Sequence, residues 1–251
     1  APQMKWNSQM RLIRTILVLA AIANLTGCAF TSESIDIKYT QQQGVAVIPG
    51  ADGSLVSVQV TDSRLDKSKV SSKKNGHGLE TADITSNEDV TVTIGRAIEQ
   101  EIRARGFKAG AGPADIKLTA EINRFYNDHK MGWFSGDAVA DLSLSVRVSD
   151  AANKLLYSRT IMSQGKEANT QLATGNNAAI ALDKALEAGM KDLFNDQAFL
   201  SALKRGSSQV ATAPASGKKT TSQLLDDLAA DKSLSYEEYL RRYNMIRRDQ
   251  P

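Results

Sequence analysis

Residues Ile116-Lys117-Leu118-Thr119-Ala120-Glu121-Ile122 and Ala140-Asp141-Leu142-Ser143-Leu144-Ser145-Val146-Arg147-Val148 alternate apolar and polar side chains without a break. Successive side chains of an extended chain point to opposite faces, so each stretch buries one face and exposes the other. The pattern predicts an antiparallel sheet covered on one side only. Turn residues from Asp150 to Asn153 lead into a third, less regular strand over Leu155–Met162. Upstream, Val56-Ser57-Val58-Gln59-Val60 repeats the alternation as a half-buried strand. Val45–Ile48, ended by Pro49, reads as an edge strand, and Ile35-Asp36-Ile37 as a short β-like piece within a polar tether.

Two helices flank these strands. Ser86 is placed to cap the first, with Asp89 at the reciprocal position of a capping box. Val90, Ile94, Ala97, Ile98 and Ile102 then share one face, and Gly106 followed by Phe107 supplies a left-handed C-terminal cap. The second helix runs from Asn177 to Phe194 on a stripe of Ala178, Leu182, Ala185, Leu186, Gly189, Met190 and Leu193. Asp196 caps a short continuation carrying Phe199, Leu200 and Leu203 and closed by Gly206. The stretch from Leu65 to Thr85, with Lys73, Lys74, Asn75, Gly76 and Gly78, reads as a long polar loop. The fold class is therefore α+β: a mainly antiparallel sheet with two amphipathic helices on one face, plus a C-terminal helical segment.

The ends have their own character. An apolar run from Thr15 to Ala23 follows Lys5, Arg11 and Arg14, which is the shape of a secretory signal and too short to span a bilayer as a mature helix. It ends in Leu25-Thr26-Gly27-Cys28, which resembles the lipobox of bacterial lipoproteins and holds the one cysteine of the chain. On that reading a peptidase cuts before Cys28 and the thiol carries an acyl chain such as palmitate. The other reading is an ordinary secretory signal with an incidental cysteine. The chain opens with Ala1, and translation is expected to start at Met4 or Met10. The expected organisation is a signal over 1–27, a lipidated tether over 28–54 and a domain over 55–206. A Ser/Thr/Ala/Gly linker over 207–222 and a helical module over 223–251 follow. In that module Ser235 and Glu238 open a helix bearing Tyr236, Tyr239, Leu240, Tyr243 and Ile246.

Charge excludes one class of partner. The chain has 31 Lys+Arg and 28 Asp+Glu, but its three leader bases precede Cys28 and no acid does. From Cys28 onward the charges balance, so bulk attraction to nucleic acid has no basis. Acylation of Cys28 leaves no thiol for disulfides or metals, and the core alone must stabilise the exported protein.

Chemistry is sparse. His77 and His129 are the two histidines, too few with Asp128 for a metal site of ordinary ligand spacing. No Gly-x-Ser-x-Gly elbow, phosphate loop or dinucleotide fingerprint occurs. No catalytic residue, metal or cofactor is expected, and the protein is read as not an enzyme. Asp62 and Arg64, two apart at a strand end, share a face; they either bind a polar partner group or form a charge pair that fixes a loop. Trp133 and Phe134 sit between Gly132 and Gly136 at a hairpin tip, where they either meet a partner or membrane or fold back onto the domain. Arg241, Arg242, Arg247 and Arg248 either meet anionic lipid or form a solvated face.

In this order of elements the segment from Val56 to about Lys204 resembles the YajG-type bacterial lipoproteins. The resemblance rests on the lipobox, Val58-Gln59-Val60-Thr61-Asp62-Ser63-Arg64, Ala104-Arg105-Gly106-Phe107, the alternating strands after Pro113 and the alanine-rich closing helix. It implies a small α+β periplasmic domain held by lipid at the outer membrane, without established chemistry. Ala29 rather than Asp after the cysteine fits outer-membrane sorting. The loop 65–85 and the tail beyond Gly206 depart from the resemblance. Two functions are carried forward: a structural or protein-interaction lipoprotein with an unidentified envelope protein partner, or an accessory that binds lipid or lipopolysaccharide for an envelope transport complex. An open apolar groove between sheet and helices would favour the second, a closed core the first.

Overall fold

The computed structural model describes residues 30–110, 114–132, 135–204, 224–225, 228–229 and 236–248. Its backbone is α+β. The two alternating stretches form β6 (Ile116–Lys130) and β7 (Gly136–Asp150), paired antiparallel with Leu118 opposite Val148 and Ile122 opposite Leu144. Their apolar side chains are fully buried on one face. Midway along β6 an extra residue, Asn123, interrupts the register between Ile122 and Arg124. Such a bulge reverses which positions face inward, so Phe125, Asn127 and His129 continue the buried face. β8 (Leu155–Thr170) returns antiparallel to β7 and runs eight residues beyond the expected end at Met162.

β2 (Leu55–Asp62) lies on the other side of β6, but parallel to it, with Val56 opposite Ile116 and Asp62 opposite Ile122. A parallel pair needs a crossover, and α1 (Val90–Ala104) provides it. A short β5 (Lys108–Ala109) adds to the outer side of β2, giving a sheet ordered β5-β2-β6-β7-β8. The sheet is therefore mixed, with the antiparallel part confined to β6, β7 and β8.

α1 begins at Asp89, whose carboxylate accepts from Thr91 N at 2.8 Å. The expected cap Ser86 instead ends a strand, with its hydroxyl buried and unpaired among the described atoms. The C-terminus closes as expected: Phe107 N donates to Ile102 O, Gly106 N donates to Arg103 O, and Gly106 takes φ +90°. α2 (Gly175–Asn195), capped by Thr174, lays its Ala/Gly/Leu stripe on β6, β7 and β8. At Gly165 of β8 a Cβ would collide with Ala181 O and Ala185 N, so helix backbone rests directly on strand backbone there. Ser163 Oγ, two residues away, donates to Ala185 O at 2.7 Å. Asp196 caps α3 (Gln197–Leu203) through Ala198 N and Phe199 N, as its position predicts. Gly206 and the linker 207–222 lie outside the described residues.

Three expectations give way. The polar stretch 65–85 contains a hairpin of β3 (Ser71–Lys74) and β4 (Glu80–Ser86), turned by Asn75, whose side chain accepts from His77 N and Leu79 N. Ser71 and Ser72 are buried polar residues, so β3 carries no apolar alternation to announce it. The supposed tether contains β1 (Glu33–Ile35), which pairs parallel with β4 to make a second sheet ordered β1-β4-β3. Ile35 and Ile37 enter the same core as α1 and α2. Val45–Ile48, the expected edge strand, pairs with no strand; Ile48 N donates to Arg105 O and the chain turns at Gly50.

α1 and α2 share one face of the larger sheet, as expected. α4 (Tyr236–Arg248) meets the opposite face, where Tyr239 Oη donates to Met162 Sδ at 2.9 Å. Met162 pairs with Ser143, a polar residue of the outward register that is nonetheless buried. The tail thus touches the domain at this point.

Candidate functional site

Leu25, Thr26, Gly27 and Cys28, together with Trp133 and Phe134, lie outside the described residues. What the structure does describe is the segment that follows Cys28. From Glu33 to Gln42 the chain is fastened to the domain at several points. Glu33 Oε2 accepts from Gly175 N at 3.1 Å and meets Lys73 Nζ at 3.2 Å. Lys38 N donates to Asp183 Oδ1 at 2.7 Å. Tyr39 and Gln42 then reach a buried cluster on α1.

That cluster centres on Glu101, which sits on the apolar stripe of α1 one turn after Ala97 and Ile98 and is 0% exposed. Its carboxylate accepts from Tyr39 Oη at 2.6 Å, from Gln42 N at 2.8 Å and from Arg105 Nη1. Arg105, itself buried, also donates to Gln42 Oε1 at 3.3 Å and lies over the Phe194 ring, 4.6 Å from its centre. Burial first, then the bond to Glu101, pushes the Tyr39 hydroxyl pKa well above its ordinary value. The group therefore stays a donor at any physiological pH. A carboxylate within a helix's apolar stripe, with Arg four residues on, is a signal legible in the sequence. Its partners Tyr39, Gln42 and Phe194 come from distant segments, and no spacing reveals them.

Asp62 and Arg64 come together at the end of β2. Arg64 is 7% exposed and its guanidinium grips both Asp62 oxygens, with Nη2 to Oδ2 at 2.8 Å. Its remaining donors go to the carbonyls of Lys67, Lys69 and Phe125. Burial pushes the Asp62 carboxyl up, but the Arg64 bonds and charge outweigh it and hold the pKa below the usual range. The pair ties the start of loop 65–70 to β6.

The two histidines border one open cleft, formed by the β3–β4 turn and the end of β6, with Lys74, Asp128 and Lys130 beside them. His129 is buried, and neither ring nitrogen has a hydrogen-bond partner among the described atoms. Burial pushes its pKa down to about 4, against the charge of Asp128, so the ring is neutral near pH 7. Asp128 is committed to Lys74 and, at 3.0 Å, to Lys130. Among the described residues no group of three or more His, Cys, Asp or Glu side chains could hold a metal. This arrangement presents a neutral imidazole beside paired charges, with no acid–base partner for it among the described atoms.

A family model described as "uncharacterized lipoprotein" matches residues 42–204. Among solved structures, a protein from Xanthomonas campestris is similar at 15% identity, covering 65% of this chain and 92% of that one with a TM-score of 0.47. A minor lipoprotein from Acinetobacter baumannii is similar at 8% identity, covering 56% of this chain and 90% of that one with a TM-score of 0.32. At such identities and scores these likenesses say nothing about function. No curated protein matches the chain.

Proposed function

Because this chain belongs to the family of uncharacterized lipoproteins, we propose that it is acylated at Cys28, sorted to the outer membrane and held there facing the periplasm as a non-catalytic structural or protein-interaction module. Membership of that family implies an anchored envelope protein. Among the described residues no helix is long and apolar enough to cross a membrane.

The observation that favours an interaction module over a lipid-binding accessory is the closed core. Ile94, Ile98 and Ile102 of α1 and Leu182, Leu186 and Leu193 of α2 are fully buried against Leu118, Leu142 and Leu144 of the sheet. Helix backbone in contact with strand backbone at Gly165 leaves no room for an acyl chain between α2 and β8. A lipid carrier needs an apolar cavity of several hundred Å³ at that place. Density separation of envelope fractions tests the location, with the full chain expected in the outer-membrane fraction. Recovery with the inner membrane would overturn the sorting, and recovery as soluble protein would overturn the anchor.

Trp133 and Phe134 remain the proposed contact residues, in the connection between the end of β6 at Lys130 and the start of β7 at Gly136. Serine at both positions is expected to leave the unfolding midpoint unchanged while crosslinks to envelope proteins in intact cells are lost. Aromatic side chains removed from a core would instead cost about 3–5 kcal/mol each. A destabilised double variant would assign them to the core and end the contact proposal.

A further inference from the structure

The lipid anchor and the domain are closer together than the sequence suggests. Cys28 precedes the first residue of β1, Glu33, by five residues, which even fully extended span at most about 18 Å. Glu33 is bound to the first residue of α2 and to Lys73 of β3. The domain is thus suspended from this point, and the end of the molecule around it has a definite composition.

Three connections meet there. The register of β1 on β4 points the chain before Glu33 toward the β3–β4 turn. Gly76, His77 and Gly78 of that turn share a cleft with Lys130, Met131 and Gly132 at the end of β6. Gly136 at the start of β7 pairs with Thr170 at the end of β8, two residues before Leu172. An exposed apolar side chain stands on three of these approaches: Phe30 at 70%, Leu79 at 65% and Leu172 at 69%. Isolated exposed apolar residues mean little, but these three come from separate elements and converge where the anchor emerges.

Resting on the proposed acylation of Cys28, we propose that this end of the domain lies on the bilayer surface, with Phe30, Leu79 and Leu172 entering the lipid interface. The side chains leave water for the acyl boundary at little entropic cost, because the anchor already holds them within reach. Charges at this end are largely matched: Lys74 and Lys130 sit on Asp128, and Lys166 on Asp137 at 2.7 Å. Contact therefore does not require anionic lipid. The rival surface is at the far end of the sheet, where Leu155 is also 57% exposed beside the β7–β8 turn. It is separated from the anchored end by the 15 residues of β7, about 50 Å of strand.

Acylated full-length chain carrying Leu79→Cys, Leu172→Cys or Leu155→Cys would be labelled at the introduced thiol and reconstituted into vesicles containing spin-labelled lipid. One vesicle set is phosphatidylethanolamine with phosphatidylglycerol, the other phosphatidylcholine alone. Labels at 79 and 172 are expected to be quenched several-fold more than the label at 155, in both lipid compositions. Equal or stronger quenching at 155 overturns the orientation, and quenching at 79 and 172 only with phosphatidylglycerol overturns the apolar contact. Intact mass of the extracted chain separates the two premises. A chain without acyl mass overturns the reading of Cys28 and this surface with it, whereas an acylated chain with no preferential quenching overturns the surface alone.

Discussion

Replacing Glu101 by alanine is expected to lower the unfolding free energy by about 3–5 kcal/mol, the range for breaking a buried ion pair by removing one partner. Glu101 is 0% exposed, and three donors converge on its carboxylate. Without it the Arg105 charge stays buried with only the Phe194 ring, a backbone carbonyl and Gln42 Oε1 near it. The Tyr39 hydroxyl and Gln42 N lose their acceptor as well, and each unsatisfied donor adds to the cost. Urea unfolding of the single variant measures the loss. A double variant, Glu101→Leu with Arg105→Met, should recover much of it, because apolar side chains of similar volume need no partner. A single-variant loss below about 1 kcal/mol is the size expected of a solvent-exposed salt bridge, and would refute the desolvated pairing of Glu101 with Arg105. Because Tyr39 and Gln42 fasten the N-terminal segment of the domain to α1, proteolysis of residues 39–48 should also rise in the single variant.

Cys28→Ser is expected to abolish fatty-acid labelling altogether and to release the protein from the membrane fraction or leave it as uncut precursor. Cys28 is the one cysteine of the chain, at the end of the apolar run, so no other thiol can take the acyl group. Each methylene of the lipid that enters the bilayer contributes about 0.8 kcal/mol, and losing the lipid removes that whole attraction. The fold should not change: the described contacts begin after Cys28, and the melting midpoint of released protein should equal that of the acylated form. Labelling of the serine variant at normal levels would refute the assignment of Cys28.

How much of this is legible in the sequence differs by element. The alternation in β6 and β7 suffices for their pairing because the buried face is apolar at every second position. The stripe, Asp196 cap and Gly106 closure of the helices are equally readable, since each is a local device. The bulge at Asn123 leaves only a faint trace, two polar residues in a row, Asn123 and Arg124, where the alternation breaks. β3 escapes a reading by hydrophobicity because Ser71 and Ser72 are buried through hydrogen bonds, Ser71 Oγ to Asn127 O among them.

The sequence by itself determined the long strands β6 and β7 and the helices α1 and α2 with their inward faces, because periodicity is a property of neighbouring residues. Only the tertiary structure decided that β2 runs parallel to β6, and that residues 33–42 belong to the domain and not to a tether. It alone brought Glu101 to Tyr39 and Gln42, and the β1, β3–β4 and β8–α2 approaches to one end. Those outcomes depend on which distant segments meet. A carboxylate in an apolar stripe is tolerable only where another segment delivers its donors, and nothing within one helix specifies which segment that will be.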